Sequence, residues 1–279
     1  MGYIMLLENG DLTTIAWNLV FGVIVMMVYI QGIIILMEKL VKSGKLSSDL
    51  SRKVVHIAAG SFVWVWLFMD PSDDWSYAFN IAVPFLFFLT FIYKGLMLPE
   101  GTDDKDVIAM TRTGSPRELL RGTLYFTIVM MIAGTLLFGS WAGMLMMAIV
   151  GWGDGIAPYI GKRWGTHTYK MPFSREKTIE GSIGVLVFSV IGSLIFLVLL
   201  GIVGGPIDTS DAVLANPGED LAMIIIVIVI LAVAAMVVEA ISPADVDNLL
   251  IPASTIIVLL IIDAILGSEF VVWGRFNPF

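Results

Sequence analysis

Long apolar runs separated by short polar connections recur along the 279-residue chain. The clearest, "LAMIIIVIVILAVAAMVV" from Leu221 to Val238, holds eighteen residues without a charge, and runs of that length are read as membrane-spanning helices. The same pattern predicts eight spans, at about 14–37, 54–69, 76–98, 119–138, 141–160, 182–204, 221–241 and 249–267. The second is short and the fifth contains Asp154, so those two depart most from the pattern. The expected fold is therefore all-α, a polytopic membrane protein of about eight transmembrane helices.

Composition agrees. Hydrophobic residues make up 58% and charged residues 14% of the chain, whereas soluble domains carry about 45–50% apolar and about 25% charged residues. The absence of cysteine removes disulfides, thiolate metal sites and a cysteine nucleophile. A net charge of −8 argues against a nucleic-acid partner. The opening "MGYIMLLENGDLTT" has neither a basic region nor a small-residue cleavage site, so no removable signal peptide is expected.

Charge then orders the spans. Lys39, Lys42, Lys45, Arg52 and Lys53 fall at the first connection, Lys94, Lys105, Arg112, Arg117 and Arg121 at the third, and Lys162, Arg163, Lys170, Arg175 and Lys177 at the fifth. These are fifteen of the sixteen basic residues, and Arg275 in the tail is the other. The alternate connections are acidic or neutral, with Asp70, Asp73 and Asp74, then Gly139 and Ser140, then Asp208, Asp211, Glu219 and Asp220. Because cytoplasmic loops collect Lys and Arg, the basic connections are expected inside and both termini outside. One transmembrane domain, 1–279, is expected, with cytoplasmic loops 38–53, 99–118, 161–181 and 242–248 forming a nucleotide and head-group site.

Ionisable groups in spans are expensive and point to function or partnership. His56, Asp154, Glu239 and the pair Arg117 and Glu118 all fall near the same, basic end of their spans, as does "ISPADVDNLLIP" with Asp245, Asp247 and Asn248. Asp263 lies toward the other end and is read as structural. The connection "GDGIAPYIGKRWGTHTYKMPFSREKTIEGSIG", Gly153–Gly184, holds five basic residues and six glycines. Glycines let backbone N–H groups approach anionic oxygens, Lys and Arg neutralise phosphate, and an Asp suits Mg2+ that also binds substrate phosphates. It contains no GxxxxGK[ST] P-loop, because five residues separate Gly155 from Gly161 and Arg163 follows Lys162. Protein-kinase motifs are also missing.

Five segments occur in order: "SRKVVHIAAG" (51–60), "RTGSPRELLRGTLYF" (112–126), "GDGIAPYIGKRWG" (153–165), "SREKTIEGSIG" (174–184) and "EAISPADVDNLLIP" (239–252). Together they resemble the CTP-dependent lipid kinases, the family of dolichol kinase, phytol kinase and a CTP-using diacylglycerol kinase, with the Arg-Glu-Leu-Leu-Arg-Gly piece most similar to the phytol kinase branch. The phosphatidate cytidylyltransferases share a stretch similar to 154–181, but their Lys-Asp, Gly-His-Gly-Gly and Asp-Arg signature is replaced here by "DVDNLLIP".

The resemblance implies transfer of the γ-phosphoryl of CTP to the hydroxyl of a long-chain lipid alcohol of phytol, geranylgeraniol, dolichol or diacylglycerol type, with Mg2+ as cofactor. Asp154 is then the expected metal ligand, with Glu180, Glu239, Asp247 and Asn248 as further candidates. Lys177 with Lys162 or Arg163 would contact phosphates, helped by Thr178, Gly153, Gly155, Gly161, Gly181, Arg52, Lys53 and Arg117. Glu180 would orient Lys177 or share the metal, and either Asp247 or His56 would be the base; spacing leaves both open. His167 is read as surface. A transporter would place polar groups near the bilayer midplane, where only Asp263 qualifies. A prokaryotic cell membrane, with the site facing the cytoplasm, is the expected location.

Overall fold

The computed structural model describes residues 12–70, 74–203, 217–243 and 245–266. The expected acidic connections at Asp73, Asp208 and Asp211, the tail with Arg275, and both chain ends lie outside the described residues. The helices are α1 (Leu12–Lys42), α2 (Ser48–Gly60), α3 (Asp74–Met97), α4 (Lys105–Met110), α5 (Gly122–Leu136), α6 (Trp141–Trp164), α7 (Ile179–Val203), α8 (Pro217–Ile241) and α9 (Asp247–Leu266). Among the described residues seven are long and apolar enough to cross a membrane, namely α1, α3, α6, α7, α8, α9 and α5 with the 3-10 turn Pro116–Leu120 before it.

The sequence predicts eight, and the difference is the second. There α2 stops being α-helical at Gly60 and continues as a 3-10 helix, Ser61–Phe68. A 3-10 helix rises about 2.0 Å per residue against 1.5 Å, so residues 54–68 cover roughly 27 Å, close to the thickness of a hydrocarbon core. Its Phe62, Val63, Val65, Trp66 and Leu67 are buried in protein.

The molecule is apolar on its outside and holds its polar groups within. Ile24, Val28, Phe85, Leu89, Ile230 and Leu260 are exposed, while Asn18, Asn80, Asp154, Glu239 and Asn248 are buried. On α1 the buried residues Met26, Ile30, Ile34 and Met37 repeat at helical spacing, which presents one stripe to the protein and the remainder to lipid.

The most buried of the seven is α6. Ser140 caps its start by accepting from Gly143 N at 3.1 Å. It passes through a π-helical turn at Ile149–Asp154 and contains Pro158. Both features leave backbone carbonyls short of their usual helical donors. It crosses α2 at two glycines: a Cβ on Gly60 would fall 2.5 Å from the Gly151 Cα. This close crossing sets His56, one turn before Gly60, beside the π turn. After α6, a short antiparallel hairpin pairs Thr168 with Thr178 and Tyr169 with Lys177, and leads into α7.

A buried polar knot ties the 3-10 stretch Ser61–Phe68 to α3 and α5. Trp66 Nε1 donates to Asn80 Oδ1 at 2.7 Å, and Asn80 Nδ2 donates to the Gly134 carbonyl at 2.9 Å. At the basic end, Lys94 on α3 pairs with Asp104 at 2.7 Å and with buried Asp106 on α4. Lys105 donates to Gln31 on α1, so α4 straps the ends of α1 and α3 together.

Candidate active site

A cavity of about 340 Å3 opens at the basic end between α2, α6, the hairpin, α7 and the α8–α9 turn. It brings together residues from four of the five sequence segments, including Arg52 and Lys53, Asp154, Lys162 and Lys177, and Asp247 with Asn248. Arg112 represents the remaining segment, so all five converge.

Asp154, at the end of the π turn, is 6% exposed. Its Oδ2 lies 3.6 Å from His56 Nε2, which instead approaches the Val150 carbonyl at 3.1 Å. A carbonyl only accepts, so Nε2 carries the proton in this contact. The ring rests against Phe126, with centroids 4.3 Å apart.

Lys53 precedes the membrane-entering part of α2 and is 6% exposed. Burial pushes its ammonium down to about 8; the Arg52 charge adds to that, while Asp154 and Asp247 oppose it. Asp49 sits at the rim, bonded to Lys162 Nζ at 2.7 Å with Arg112 Nε at 3.8 Å. Burial works to raise Asp49, but the hydrogen bond and charge of Lys162 outweigh it and hold the carboxyl below the usual carboxylate range.

Lys177 donates to Glu239 Oε1 at 2.6 Å and to the Glu239 carbonyl. Its carboxylate partner is therefore Glu239, on α8, and not Glu180 as the sequence suggested. Glu180 lies outside the cavity wall, accepting from Thr166 Oγ1 at 2.7 Å and lying 2.7 Å from His167 Nδ1. His167 is exposed, as expected, yet has that partner. Neither Arg163, in the last turn of α6, nor Arg117, in the 3-10 turn before α5, lines the cavity.

The glycines have packing reasons. A Cβ on Gly153 would meet Ser189 Oγ at 2.1 Å, and one on Gly155 would meet Ile57 at 2.6 Å. Gly161 and Gly181 face Thr178 at the crossing of α6 and α7, where Thr178 Oγ1 accepts from Gly181 N at 3.1 Å. Of these, Gly161, Gly181 and Thr178 do line the cavity.

Several residues in the wall were not singled out as site residues: Asp49, Arg112, Arg175, Glu176, Ser182, Ser242 and Asp245. Glu118 holds the Arg112 loop by accepting from the N–H of Arg112 at 2.6 Å and of Thr113 at 3.2 Å. Asp245 has φ of 67°, a left-handed conformation uncommon for a side-chain-bearing residue and often found at functional sites. Its position in "SPADVDN", next to Asp247, was the available signal. Arg52, Arg112 and Arg175 also line an adjoining basin with Arg121.

Three buried polar atoms on residues of this wall have no hydrogen-bond partner. Arg52 Nε and Nη2 have none, and neither does Asn248 Oδ1, although Asn248 Nδ2 donates to the Gly122 carbonyl at 3.3 Å. Buried donors and acceptors are normally satisfied, so these suit a charged ligand with both cationic and anionic parts. No group of three His, Asp or Glu among the described residues is arranged to hold a metal ion. Mg2+, however, usually takes one or two carboxylates and completes its shell from water and substrate phosphate. Asp154, Asp247 and the free Asn248 Oδ1 share this cavity and fit that requirement.

Against the polar cavity lies a smaller apolar slot of about 60 Å3, walled by α1, α2, α3 and α5. Arg52 and Asn248 line both, and His56 lines the slot.

The cytidylyltransferase family model matches residues 10–244. A probable chloroplastic phytol kinase of Zea mays is 31% identical over 229 residues, 81% of this chain and 70% of its own. A probable phytol kinase 1 of Glycine max is 33% identical over 60% of this chain and 54% of its own. Phytol kinase 1 of Arabidopsis thaliana is 30% identical over the same shares. The chain thus spans from about half to seven tenths of these relatives' length. No solved structure matches. The chain belongs to the cytidylyltransferase family, in the part of it that holds the phytol kinases.

Proposed function

We propose that the protein is a membrane-embedded kinase that transfers the γ-phosphoryl of CTP to the hydroxyl of a long-chain isoprenoid alcohol of phytol, geranylgeraniol or dolichol type. One observation carries the reading: a charged, ligand-sized cavity meets an apolar slot at Arg52 and Asn248, with His56 on the slot side. A nucleotide and a lipid hydroxyl can meet there.

Phosphoryl transfer depends on in-line positioning and on neutralising charge. Lys53, Lys162, Lys177 and Arg112 supply the cations around the polyphosphate, and Arg52 reaches the junction where the phosphoryl moves. Asp154 and Asp247 with Asn248 would hold Mg2+, which supplies charge neutralisation on the phosphates. Glu239 serves by fixing Lys177. His56 stands on the acceptor side, which makes it a better-placed base than Asp247. Loops 38–53, 99–118, 161–181 and 242–248 form the nucleotide side of one transmembrane domain. The site would face the cytoplasm or its equivalent, the side with the basic loops. The relatives are named as chloroplast proteins and lend no support to a prokaryotic membrane.

The family also contains cytidylyltransferases, so the assay must separate the two reactions. Purified protein with Mg2+ and CTP labelled at the α or the γ phosphorus is offered isoprenoid alcohols, diacylglycerol or phosphatidic acid. Label should reach an isoprenoid alcohol from γ-labelled CTP alone. Incorporation of α label into phosphatidic acid would overturn the kinase reading.

A further inference from the structure

We infer that the apolar slot holds the first part of one isoprenoid chain, admitted from the bilayer through the seam between α1 and α3. This rests on the kinase reading and adds the acceptor's location, path and read length.

The two helices cross closely at one end, where a Cβ on Gly22 would fall 3.0 Å from Phe79. Beyond Val25 they part, and Met26–Lys42 makes no more than marginal backbone approach to α3. At the basic end α4 bridges them through Lys105 to Gln31 and Lys94 to Asp104 and Asp106. Past the crossing the facing groups are side chains, Ile30 and Ile34 from α1, on either side of the Gln31 tie, and Val83 and Phe87 from α3. Rotamer changes can open such a seam, whereas backbone-packed helices would have to separate.

The depth of the slot is limited. Its head is marked by Arg52, Thr123 and Asn248, and its deep end by Ala59, Pro84 and Met130. The knot of Trp66, Asn80 and Gly134 lies one turn beyond Pro84 and Met130 and forms the floor. Seven residues of helix separate Arg52 from Ala59, about 11 Å, the length of roughly eight or nine extended carbons or about two isoprene units, which the slot of about 60 Å3 accepts once its side-chain wall moves outward. The remainder of a longer chain leaves through the seam into lipid. A narrow single slot also excludes the second chain of a diacylglycerol.

The first test is photolabelling of the wild-type protein with a geranylgeraniol analogue carrying a diazirine in its second isoprene unit, mapped by mass spectrometry. Adducts are expected on Ile30, Ile34, Val83 or Phe87, displaced by geranylgeraniol but not by diacylglycerol. Adducts confined to the outer faces of α7 or α8, or displaced equally by diacylglycerol, would overturn the inference. Slot adducts without any phosphoryl transfer would sink the kinase reading and leave the slot standing. The second test is kinetic. KM should fall from C5 to C10 or C15 alcohols and then level, and Ala59→Leu should raise the alcohol KM about tenfold with the CTP KM unchanged. A KM that keeps falling steeply beyond C20 would refute the read length.

Discussion

Lys53 makes a prediction that the structure can size. Its side chain is 6% exposed and burial lowers its ammonium to about 8. A polyphosphate requires the charged form, so binding is expected to take up a proton. Above pH 8 the free protein must first protonate Lys53, and affinity therefore falls as pH rises. With a free value of about 8, the charged fraction drops from about 0.76 at pH 7.5 to about 0.03 at pH 9.5, a loss of roughly 25-fold or about 1.9 kcal/mol. The measurement is calorimetric titration with β,γ-methylene CTP in buffers of different ionisation enthalpy. At pH 8 about half a proton should be taken up per nucleotide. Lys53→Met should bind more weakly and lose most of the pH dependence. A flat wild-type profile, or an unchanged slope in Lys53→Met, would refute the assignment of Lys53 to the phosphates.

Other outcomes follow from the same geometry. Asp154→Asn should abolish turnover while thermal unfolding stays near wild type; an active variant would remove Asp154 as metal holder. Lys177→Met should lower stability by about 3–5 kcal/mol, because it leaves a buried carboxylate unpaired, and the Lys177→Met, Glu239→Gln double variant should recover much of that in unfolding assays without recovering activity. Gly60→Ala drives a methyl into Gly151 and should cost about 1–3 kcal/mol, with activity falling further than unfolding predicts as His56 shifts. His56→Gln keeps a donor for the Val150 carbonyl, so a loss of about 10²-fold or more in kcat at unchanged CTP affinity is expected for a base; normal kcat would exclude that role.

Spans were legible because a membrane-crossing helix must satisfy its backbone internally and present apolar side chains over its full length. The second span was the exception: its apolar run is short, and the 3-10 geometry that lengthens Ser61–Phe68 has no sequence period of its own. The convergence of the five segments was legible from their order and their common end. Pairings were not. Lys177 and Glu239 are 62 positions apart, and nothing periodic connects them, so the nearer Glu180 was the natural choice. The glycines of 153–161 suggested a phosphate cradle, yet Gly153 and Gly155 serve helix crossings, because a missing side chain is the same signal for either purpose. Asp245 shows its left-handed backbone only in three dimensions.

The burial of α6 has a consequence for how the protein is made. It is the least apolar of the seven candidate spans, it carries Asp154, and it is the one most enclosed by neighbours. A nascent chain ending after Trp164 would offer the insertion machinery a poor passenger, since charge in a span raises the cost of leaving the translocon for lipid. α7, α8 and α9, which pack around it, are synthesised afterwards. Biogenesis is thus expected to be coupled to completion: a chain terminated before α7 to α9 would lack the neighbours that enclose α6, and would carry only part of the polar cavity.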